Sequence, residues 1–586
     1  MKHIKTKNAG ITLIALVITI VVLLILAGIT INLTIGQDGI ITRAQEAGRN
    51  YQQAAQDEVA LLDKLTEEFD AITDPESLNE YNDGVNKPKL LQGMTPIKFT
   101  EPTTNAEGTT VKTTASDEGW YNYGAKNWAN SQTEDGSMWV WIPRYAYKIT
   151  YYTDDTKQVV SNTKTSYGSV DVKFLIGTTN KYYDENGQIK TAQRQTDVNQ
   201  TIDTTADYTV HPAFTNEKAI GYANGGWRKE LTGIWVAKFE AGYASGNNTA
   251  PVKASSVKYT EPRSWVYKDE AQTTDDSRQV ARNWLDGVYS KEDENGTMTY
   301  DNGVTKYSWT NGEVAIKYPT FQGLTYSMNY INHNDSYNIA RALTETGNIY
   351  GLKSNNADSH LMKNSEWGAV AYLSQSQYGL NGQNIYINNV NLNNTTTSVY
   401  ALTGMAGNSA DAGTKTTSIS AIKNKQVTDV YTWKQLNGTK GSSTGTIYGI
   451  YDLSGGLWER TASLVYNGNA NLNNFGSSLL NSGVSSEYVT IYPNNDAGET
   501  VANTASQKNY EANTKIYGDA VRETSTGGIE ASSWYKDYSN FPGYIGPFFR
   551  RGGRWYGTTG AGLFYFVRND GASDYNDGLR VVLVAQ

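Results

Sequence analysis

The sequence contains no cysteine, and this absence excludes a large part of protein chemistry. Disulfides, thiol nucleophiles, zinc–thiolate sites and iron–sulfur clusters all require that residue. Histidine is nearly as scarce, with 4 residues, and no His-x-x-x-His or Glu-His pairing has the spacing of metal ligands. We therefore expect the 586 residues to reach stability through a large core, without sulfur or metal cross-links.

A basic surface is also missing. Lys and Arg total 50 against 59 Asp and Glu, which gives a formal net charge of −9. Such a balance does not neutralise phosphates, so we expect no nucleic-acid partner. The sequence also has no phosphate-binding loop with a Gly-Lys-Ser/Thr ending. Aromatic residues are abundant instead, with 42 Tyr and 14 Trp, and they offer large contact areas at a low cost in side-chain entropy.

The N-terminal segment has the pattern of a membrane anchor. Lys2, Lys5 and Lys7 precede an uncharged stretch whose apolar part, 11–35, has 25 residues. At about 1.5 Å per residue a helix of this length reaches roughly 37 Å, enough to cross a bilayer. The lysines before it and Asp38 after it predict a cytoplasmic N-terminus. We therefore predict a single-pass protein of the cell membrane with an extracellular C-terminal domain.

The run Lys7-Asn8-Ala9-Gly10-Ile11-Thr12-Leu13-Ile14-Ala15-Leu16 resembles a type IV prepilin leader. The resemblance implies a leader over 1–10, cleavage after Gly10 and Ile11 as the mature N-terminus. The family carries Glu at the fifth mature position, where it assists subunit assembly, and this chain has Ala15 there. Pilin-like self-assembly therefore stays open, and so does the alternative of an uncleaved single-span anchor.

A second helical pattern follows the apolar segment. Apolar residues recur every three or four positions from Ile40 to Ile72, and Asp74-Pro75 ends the pattern. We predict a pilin-like transmembrane and amphipathic helix over 11–74. Residues 75–136 are rich in Thr, Asn, Asp and Glu and poor in apolar runs, which predicts a stalk or linker.

From residue 137 the pattern is that of a folded domain. Dense apolar runs at Ser137–Tyr145 and Gly233–Glu240 predict buried strands. Helix patterns are rare; two are 328–343 and 364–373, the second with Ser365 as its N-cap. Asn/Gly/Asp turns separate the other short strand candidates. The predicted fold class is α+β, with many short strands and long loops, preceded by the N-terminal helix.

Four segments of the domain form a recognisable series. They are the strand Met138–Pro143; His360-Leu361-Met362-Lys363-Asn364-Ser365-Glu366-Trp367; Gly449-Ile450-Tyr451-Asp452-Leu453-Ser454-Gly455-Gly456-Leu457-Trp458-Glu459; and the tail from Arg550 to Leu583. Their sequences and their order resemble the formylglycine-generating-enzyme (sulfatase-modifying factor) family. The tail also resembles the variable tail of diversity-generating-retroelement target proteins. The resemblance implies a C-type-lectin-like domain over 137–586, with a variable tail at about 550–586.

The residues that carry the family's chemistry are missing. Formylglycine-generating enzymes need a cysteine pair near the C-terminus, and the related sulfoxide synthases bind iron through clustered histidines. Gly456 stands where the family usually has Asn, so calcium contacts of that Asn are in doubt. We therefore expect no enzymatic activity and no metal or cofactor, with calcium alone left open. Trp367 and Trp458 are expected in the core, and Arg580 as a buried, hydrogen-bonded guanidinium.

The tail itself is predicted to be a ligand-binding face on a buried frame. From Arg554 to Asp577 it lacks Lys, Glu, Gln and Met, the types that adenine mutagenesis of an Asn codon does not produce. The residues expected to face outward are Arg554, Tyr556, Thr558, Tyr565, Val567, Arg568, Asn569, Asp570, Asp574, Tyr575 and Asn576. The frame residues expected to be buried are Arg551, Gly552, Gly553, Leu563, Phe564, Gly578, Arg580, Val581 and Val582.

These patterns lead to two functional hypotheses. The first is a surface-displayed, adhesin- or receptor-like protein whose tail forms a diversifiable binding face. Its ligand would be a protein or glycan on another cell, a phage or a host surface. The alternative is a pilin-like structural subunit of an envelope filament with no diversified site.

Overall fold

The computed structural model describes residues 81–82, 84–197, 199–216, 226–243 and 319–585, except 330, 347, 396–397, 481–486 and 496–504, together with short strand segments between 256 and 316. The chain divides into two compact units, 1–74 and 75–586, and all described residues belong to the second. The predicted leader, membrane segment and amphipathic helix lie outside the described residues. None of the helices that are described combines the length and the apolar character needed to span a bilayer.

The described residues confirm an α+β fold dominated by strands and loops. A central sheet of seven strands lies at its middle, in the order β22-β35-β13-β6-β5-β3-β4. Its strands in that order are β22 (Ala357–Leu361), β35 (Val581–Ala585), β13 (Gly233–Ala237), β6 (Met138–Pro143), β5 (Asn130–Gln132), β3 (Thr95–Phe99) and β4 (Thr110–Lys112).

The two predicted apolar strands are confirmed, and they pair with each other. β6 and β13 are buried along their whole lengths, as expected for strands with protein on both faces. They run antiparallel, with Trp141 opposite Trp235 and the ring centres 5.3 Å apart. Pro143 ends β6 opposite Gly233, where its missing N–H removes no bond from the middle of the strand.

The predicted stalk over 75–136 is wrong for much of its length. β3, β4 and β5 extend the central sheet beyond β6, and Ile97 and Trp128 have no exposed surface. The indole N–H of Trp120 donates to the Asn130 carbonyl at 2.8 Å, and the Tyr123 hydroxyl donates to the Trp141 carbonyl at 2.6 Å. A few widely spaced aromatic residues therefore attach this polar segment to the core, although it contains no apolar run.

The second large sheet is formed by the C-terminal part of the chain, and we call it the tail sheet. Its order is β29-β28-β32-β33-β31-β30, with β34 also paired to β28. Its strands are β28 (Trp458–Val465), β29 (Thr490–Tyr492), β30 (Ala531–Ser532), β31 (Tyr538–Asn540), β32 (Phe548–Gly552), β33 (Gly562–Asn569) and β34 (Asp577–Leu579).

The remaining described strands form smaller sheets. They are β1 (Tyr81–Asn82), β2 (Val85–Asn86), β7 (Tyr145–Tyr152), β8 (Val160–Ser161), β9 (Gly168–Phe174), β10 (Lys181–Tyr183), β11 (Ile189–Thr191), β12 (Thr209–Val210), β14 (Gly242–Tyr243), β15 (Ser256–Thr260), β16 (Ser264–Lys268), β17 (Val288–Tyr289), β18 (Thr297–Asp301), β19 (Lys306–Thr310), β20 (Glu313–Ile316), β21 (Tyr326–Ser327), β23 (Val390–Thr395), β24 (Ser398–Tyr400), β25 (Met405–Gly407), β26 (Lys415–Thr417) and β27 (Val430–Thr432).

Helices are short in the described chain. The α-helices are α1 (His333–Arg341), α2 (Asn364–Gln375), α3 (Ile419–Lys423), α4 (Ala470–Leu480) and α5 (Gln507–Ala512). The 3-10 turns are Pro212–Phe214, Ala342–Thr344, Gly438–Gly441, Trp534–Lys536 and Thr558–Gly560.

Two details of the predicted helices are wrong at their N-termini. The pattern over 328–343 predicts a start at Met328, but α1 begins at His333, where the Asn332 side chain accepts the Asp335 N–H. In α2 the N-cap is Lys363 and not Ser365. The Glu366 carboxylate turns back to accept the Lys363 N–H at 2.8 Å, so the acidic half of a capping box fixes the first turn.

Arg580 connects the two large sheets. Its guanidinium donates to the Ala237 carbonyl of β13 at 2.7 Å and to the Tyr451 carbonyl at 2.8 Å. It also pairs with the carboxylate of Glu459 in β28, where Nε–H donates to Oε2 at 2.8 Å. The prediction of a buried, hydrogen-bonded guanidinium is confirmed, and this contact joins the central sheet to the start of β28.

Candidate functional site

Two glycines form the turn at the end of β32. Gly552 and Gly553 both have φ near +81°, a conformation that L side chains rarely adopt. At Gly553 a Cβ would lie 2.5 Å from the Cβ of Ala561, so the turn also requires the missing side chain. This glycine pair therefore lets β33 return beside β32.

Strand alternation divides the side chains of β32 and β33 between two faces. In the register Arg551 lies opposite Phe566, and Arg550 lies opposite Val567. Arg551 is fully buried and donates to the carbonyls of Asp519 at 3.1 Å and Ala520 at 3.0 Å. The other face carries Arg550, and there the candidate site begins.

Two arginines stack on aromatic rings at this face, and we call the five residues the Arg–Trp cluster: Arg550, Arg554, Trp458, Tyr556 and Tyr565. The guanidinium carbons of Arg550 and Arg554 lie 3.5 and 4.0 Å from the ring centre of Trp458. Arg554 also lies 3.6 Å from the ring centre of Tyr556. The indole N–H of Trp458 donates to the Tyr565 hydroxyl at 2.9 Å, so the rings and cations form one connected group.

A buried carboxylate fixes the cluster from below. Asp577 has no exposed surface, and its oxygens pair with Arg550 at 2.7 Å and Arg460 at 2.6 Å. Arg460 donates in addition to Asn569 Oδ1 at 2.6 Å. Because both carboxylate oxygens and both guanidinium groups are engaged, the Arg550 side chain is held in one orientation.

The electrostatics leave one cation of the cluster without a counter-charge. Within the described residues Arg554 has no carboxylate partner, in contrast to Arg550. Burial lowers the pKa of Arg554 from its usual range, yet a guanidinium stays protonated in a protein. Burial raises the pKa of both Tyr556 and Tyr565 to about 12, so both hydroxyls are neutral near pH 7. The cluster therefore presents positive charge set in aromatic surface.

Tyr575 extends the aromatic surface and is 37% exposed. Its ring centre lies 6.2 Å from that of Trp555, which in turn lies 5.1 Å from Tyr556. Tyr538 approaches from the neighbouring strand, with its ring centre 6.2 Å from that of Tyr565. The structure thus brings together four of the predicted residues: Arg554, Tyr556, Tyr565 and Tyr575.

The prediction that eleven tail residues face outward is only partly correct. Tyr575 is exposed, and six others are partly exposed: Arg554, Tyr556, Thr558, Arg568, Asp570 and Asp574. Four are less than a tenth exposed, and for them the prediction is wrong: Tyr565, Val567, Asn569 and Asn576. Strand alternation also places Arg568 on the face of β33 opposite Tyr565.

Three of those four residues, Tyr565, Val567 and Asn569, belong to β33. This strand lies inside the tail sheet, between β31 and β32, so side chains of both neighbouring strands pack beside its own. Asn569 accepts from Arg460 and from the Gly571 N–H at 2.8 Å, which makes it part of the support. The backbone carbonyl of Asn576 accepts the Trp458 N–H at 2.8 Å.

The nine predicted frame residues are all buried, and that prediction is confirmed. Trp367 is also in the core, where its indole N–H donates to the Leu563 carbonyl at 2.7 Å. Trp458 is not: it is half-buried, and the prediction of a core position is wrong. Arg550 contributes to the cluster although no sequence pattern assigns it a role.

The residues described by the structure contain no group of three or more His, Asp or Glu side chains arranged to hold a metal ion. The buried His360 is instead used structurally, with Nδ1 at 2.7 Å from Asp358 and Nε2 at 2.9 Å from Glu366. No protein-family model matches the chain, and no curated protein is significantly similar to it.

Proposed function

We propose that this protein binds a ligand through the Arg–Trp cluster together with Tyr575, and that it is not an enzyme. The observation that carries the proposal is the stacking of Arg550 and Arg554 on Trp458 above the buried Asp577. Arg, Trp and Tyr are the residue types that dominate the energetics of protein interfaces. Here they are held in position before any partner arrives, which lowers the entropy cost of binding.

The guanidinium of Arg554, which has no carboxylate partner among the described residues, defines the chemistry of the contact. A ligand carboxylate or phosphate would form a charge-assisted hydrogen bond with it, and the rings around it would cover apolar parts of the same ligand. We therefore propose a ligand with an acidic group beside an apolar or aromatic one. A protein segment and an acidic glycan both offer this combination.

We further propose a C-type-lectin-like domain with a diversified tail, displayed at the cell surface through 11–35. Support comes from the four segments that resemble the formylglycine-generating-enzyme family. They lie in or directly beside the two large sheets that Arg580 connects. Because Tyr565, Val567, Asn569 and Asn576 are buried, we restrict the replaceable positions to the seven with exposed surface. These are Arg554, Tyr556, Thr558, Arg568, Asp570, Asp574 and Tyr575.

The binding proposal is tested with the double variant Arg554→Ser and Tyr556→Ser in the full chain. We expect binding to intact bacterial cells and to a printed array of bacterial proteins and glycans to fall at least about tenfold, because two central contacts are lost. The melting temperature should change little, since both side chains are partly exposed.

Tyr466→Ser is the matched control. Tyr466 follows the far end of β28 and is 59% exposed, so its loss should leave binding unchanged. Equal binding by the double variant and the wild type would contradict the proposed site. A large fall in melting temperature for the double variant would show that the cluster is structural.

The proposal of a diversified tail has a separate test in the neighbouring DNA. We expect a near-copy of the tail-coding segment that differs at adenines, beside a gene for a reverse transcriptase. Absence of such a copy would contradict diversification and leave the binding proposal intact.

A further inference from the structure

A fully buried lysine at the central sheet has no part in the proposed binding face. Lys238 follows directly after β13, and Asn130 begins β5; neither residue has any exposed surface. Lys238 Nζ lies 3.0 Å from Asn130 Oδ1. Since a C=O bond measures about 1.2 Å, Nζ is within about 4.2 Å of the Asn130 Cγ. A primary amine and a carboxamide are therefore held next to each other in the interior.

Two backbone carbonyls fix the direction of the amine. Nζ donates to the carbonyl of Ile447 at 2.7 Å and to that of Gly449 at 2.8 Å. An ammonium has three N–H donors, and the third meets Asn130 Oδ1. A neutral amine has only two N–H groups, which the two carbonyls accept. Its lone pair is then left for the remaining neighbour, the carboxamide of Asn130.

The carboxamide is fixed as well. Its Nδ2 donates to the carbonyls of Trp128 and Tyr448, both at 2.9 Å. These bonds settle which end of the side chain is the nitrogen, so the oxygen and Cγ lie towards Lys238. Two groups that are held in such a geometry react far faster than the same groups free in solution, because the entropy cost of bringing them together has already been met.

The surroundings favour the neutral form of Lys238. Burial lowers the pKa of Lys238 well below its ordinary range, and the Glu101 carboxylate opposes this shift. No carboxylate among the described residues lies within ion-pair distance of Nζ, in contrast to the other fully buried lysine, Lys363, which lies 3.4 Å from Glu366. Glu101 keeps exposed surface, so it can pass the proton of Lys238 to water. A lysine that is desolvated in this way is a nucleophile.

We propose that Lys238 and Asn130 form an intramolecular isopeptide bond. The Nζ lone pair attacks Cγ of Asn130, the Cγ–Nδ2 bond breaks, and one proton of the amine moves to the leaving nitrogen. The products are one new amide and one molecule of ammonia, so the step consumes no oxidant, reductant or cofactor.

The bond would join β13 to β5, which lie on either side of β6 in the central sheet. A cross-link of this kind restricts the unfolded chain as a disulfide does, and the sequence has no cysteine to form one. The two residues are separate from the Arg–Trp cluster, so the cross-link does not depend on the proposed function.

Tryptic digestion of the full chain, followed by mass spectrometry, tests the bond. We expect one branched peptide that joins 127–144 to 230–253, because trypsin does not cut after a lysine whose amine is acylated. Its mass should be lower than the sum of the two peptides by one ammonia, and fragmentation should place the link at Lys238 and Asn130. Recovery of 127–144 and 230–238 as separate, unmodified peptides would overturn the proposal and show an ordinary buried ammonium.

Two variants remove one partner each. Lys238→Arg keeps a cation but has no amine nucleophile, and Asn130→Ala has no carboxamide, so neither should give the branched peptide. Lys181→Met, at an exposed position of β10, is the matched control and should give it in the wild-type amount. A branched peptide that persists in either of the first two variants would also overturn the proposal. The wild-type digest is decisive even if a variant does not fold.

Discussion

Glu523 is a buried carboxyl whose hydrogen bonds come from hydroxyls and a backbone amide. The hydroxyls of Tyr147 and Tyr372 donate to it at 3.0 and 2.9 Å, and the Gly518 N–H donates as well. Burial raises the pKa of Glu523 to about 7, and the nearby Asp519 adds to that rise, while the Gly518 N–H opposes it. The folded state therefore holds this proton more tightly than the unfolded state does.

This shift predicts that the protein is less stable at pH 8 than at pH 5. Between the ordinary glutamate value near 4.5 and about 7, the folded state carries more protons, so the free energy of unfolding falls as the pH rises. The contribution of Glu523 is on the order of 3 kcal/mol. Urea unfolding at several pH values should show a shallower fall for Glu523→Gln, whose side chain does not titrate.

Glu530→Gln, at an exposed position, is the control and should keep the wild-type slope. Stability that rises between pH 5 and pH 7 in the wild type, or an unchanged slope in Glu523→Gln, would contradict this account.

Single residues differ in how far the sequence predicts them. Arg580 was predictable, because an arginine inside an apolar strand must be buried with its hydrogen bonds satisfied. Trp458 was not, because a tryptophan next to a glycine-rich turn looks like a core residue. The missing information was the ion pair between Glu459 and Arg580: neighbours in a strand point to opposite faces, so a buried Glu459 directs Trp458 outward.

At the scale of single elements, the turn after β32 controls where the tail leaves the sheet. Gly553 and Gly187 share a positive φ, +81° and +73°, but differ in the space around them. A Cβ at Gly187 would meet nothing within 4 Å, whereas at Gly553 it would overlap Ala561. The two positions therefore separate the cost of the backbone conformation from the cost of the clash.

We expect Gly187→Ala to cost about 1 kcal/mol, the penalty of a left-handed residue. Gly553→Ala should cost at least about 2 kcal/mol more, because Ala561 must also move. Denaturant midpoints of the two variants measure the difference. Equal losses would mean that the turn adjusts without cost and that the close approach of Ala561 is not essential.

Only part of the candidate site could be predicted from the patterns of its elements. The boundaries of the tail and its buried frame followed from an Arg-Gly-Gly start and an apolar finish. The burial of the polar side chains in β33 did not, because it depends on which strands, β31 and β32, lie on either side of β33. Tyr565 and Asn569 look like surface residues in the sequence, and only the order of the tail sheet shows that they support it.

At the scale of the whole molecule, β35 lies between β13 and β22 in the central sheet. Leu583 is fully buried there and lies opposite Trp235 on one side and Ser359 on the other. β13 and β22, which are far apart in the sequence, therefore both pair with β35. The strands β6 and β13 were foreseeable from their apolar runs, but their pairing and the order of the sheet were not, because no local pattern encodes long-range pairing.

This topology predicts that a small change in β35 weakens the entire described domain. Leu583→Ala should lower the free energy of unfolding by about 2–5 kcal/mol, in one transition followed by both tryptophan fluorescence and circular dichroism. Ile189→Ala, in the small β10–β11 hairpin, removes a side chain that is 54% exposed and should change stability by less than about 0.5 kcal/mol. Two separate transitions in Leu583→Ala, with only the C-terminal part lost, would contradict a single cooperative domain.

The position of β35 also has a consequence for biosynthesis. Translation delivers β6 and β13 long before the strand that belongs beside β13, so a nascent chain exposes one side of β13 until residues 581–585 have left the ribosome. A ribosome that stalls anywhere in the last segment releases a product with an open, apolar sheet edge, which is a template for aggregation. The central sheet is thus completed only after the strands of the tail sheet have been synthesised.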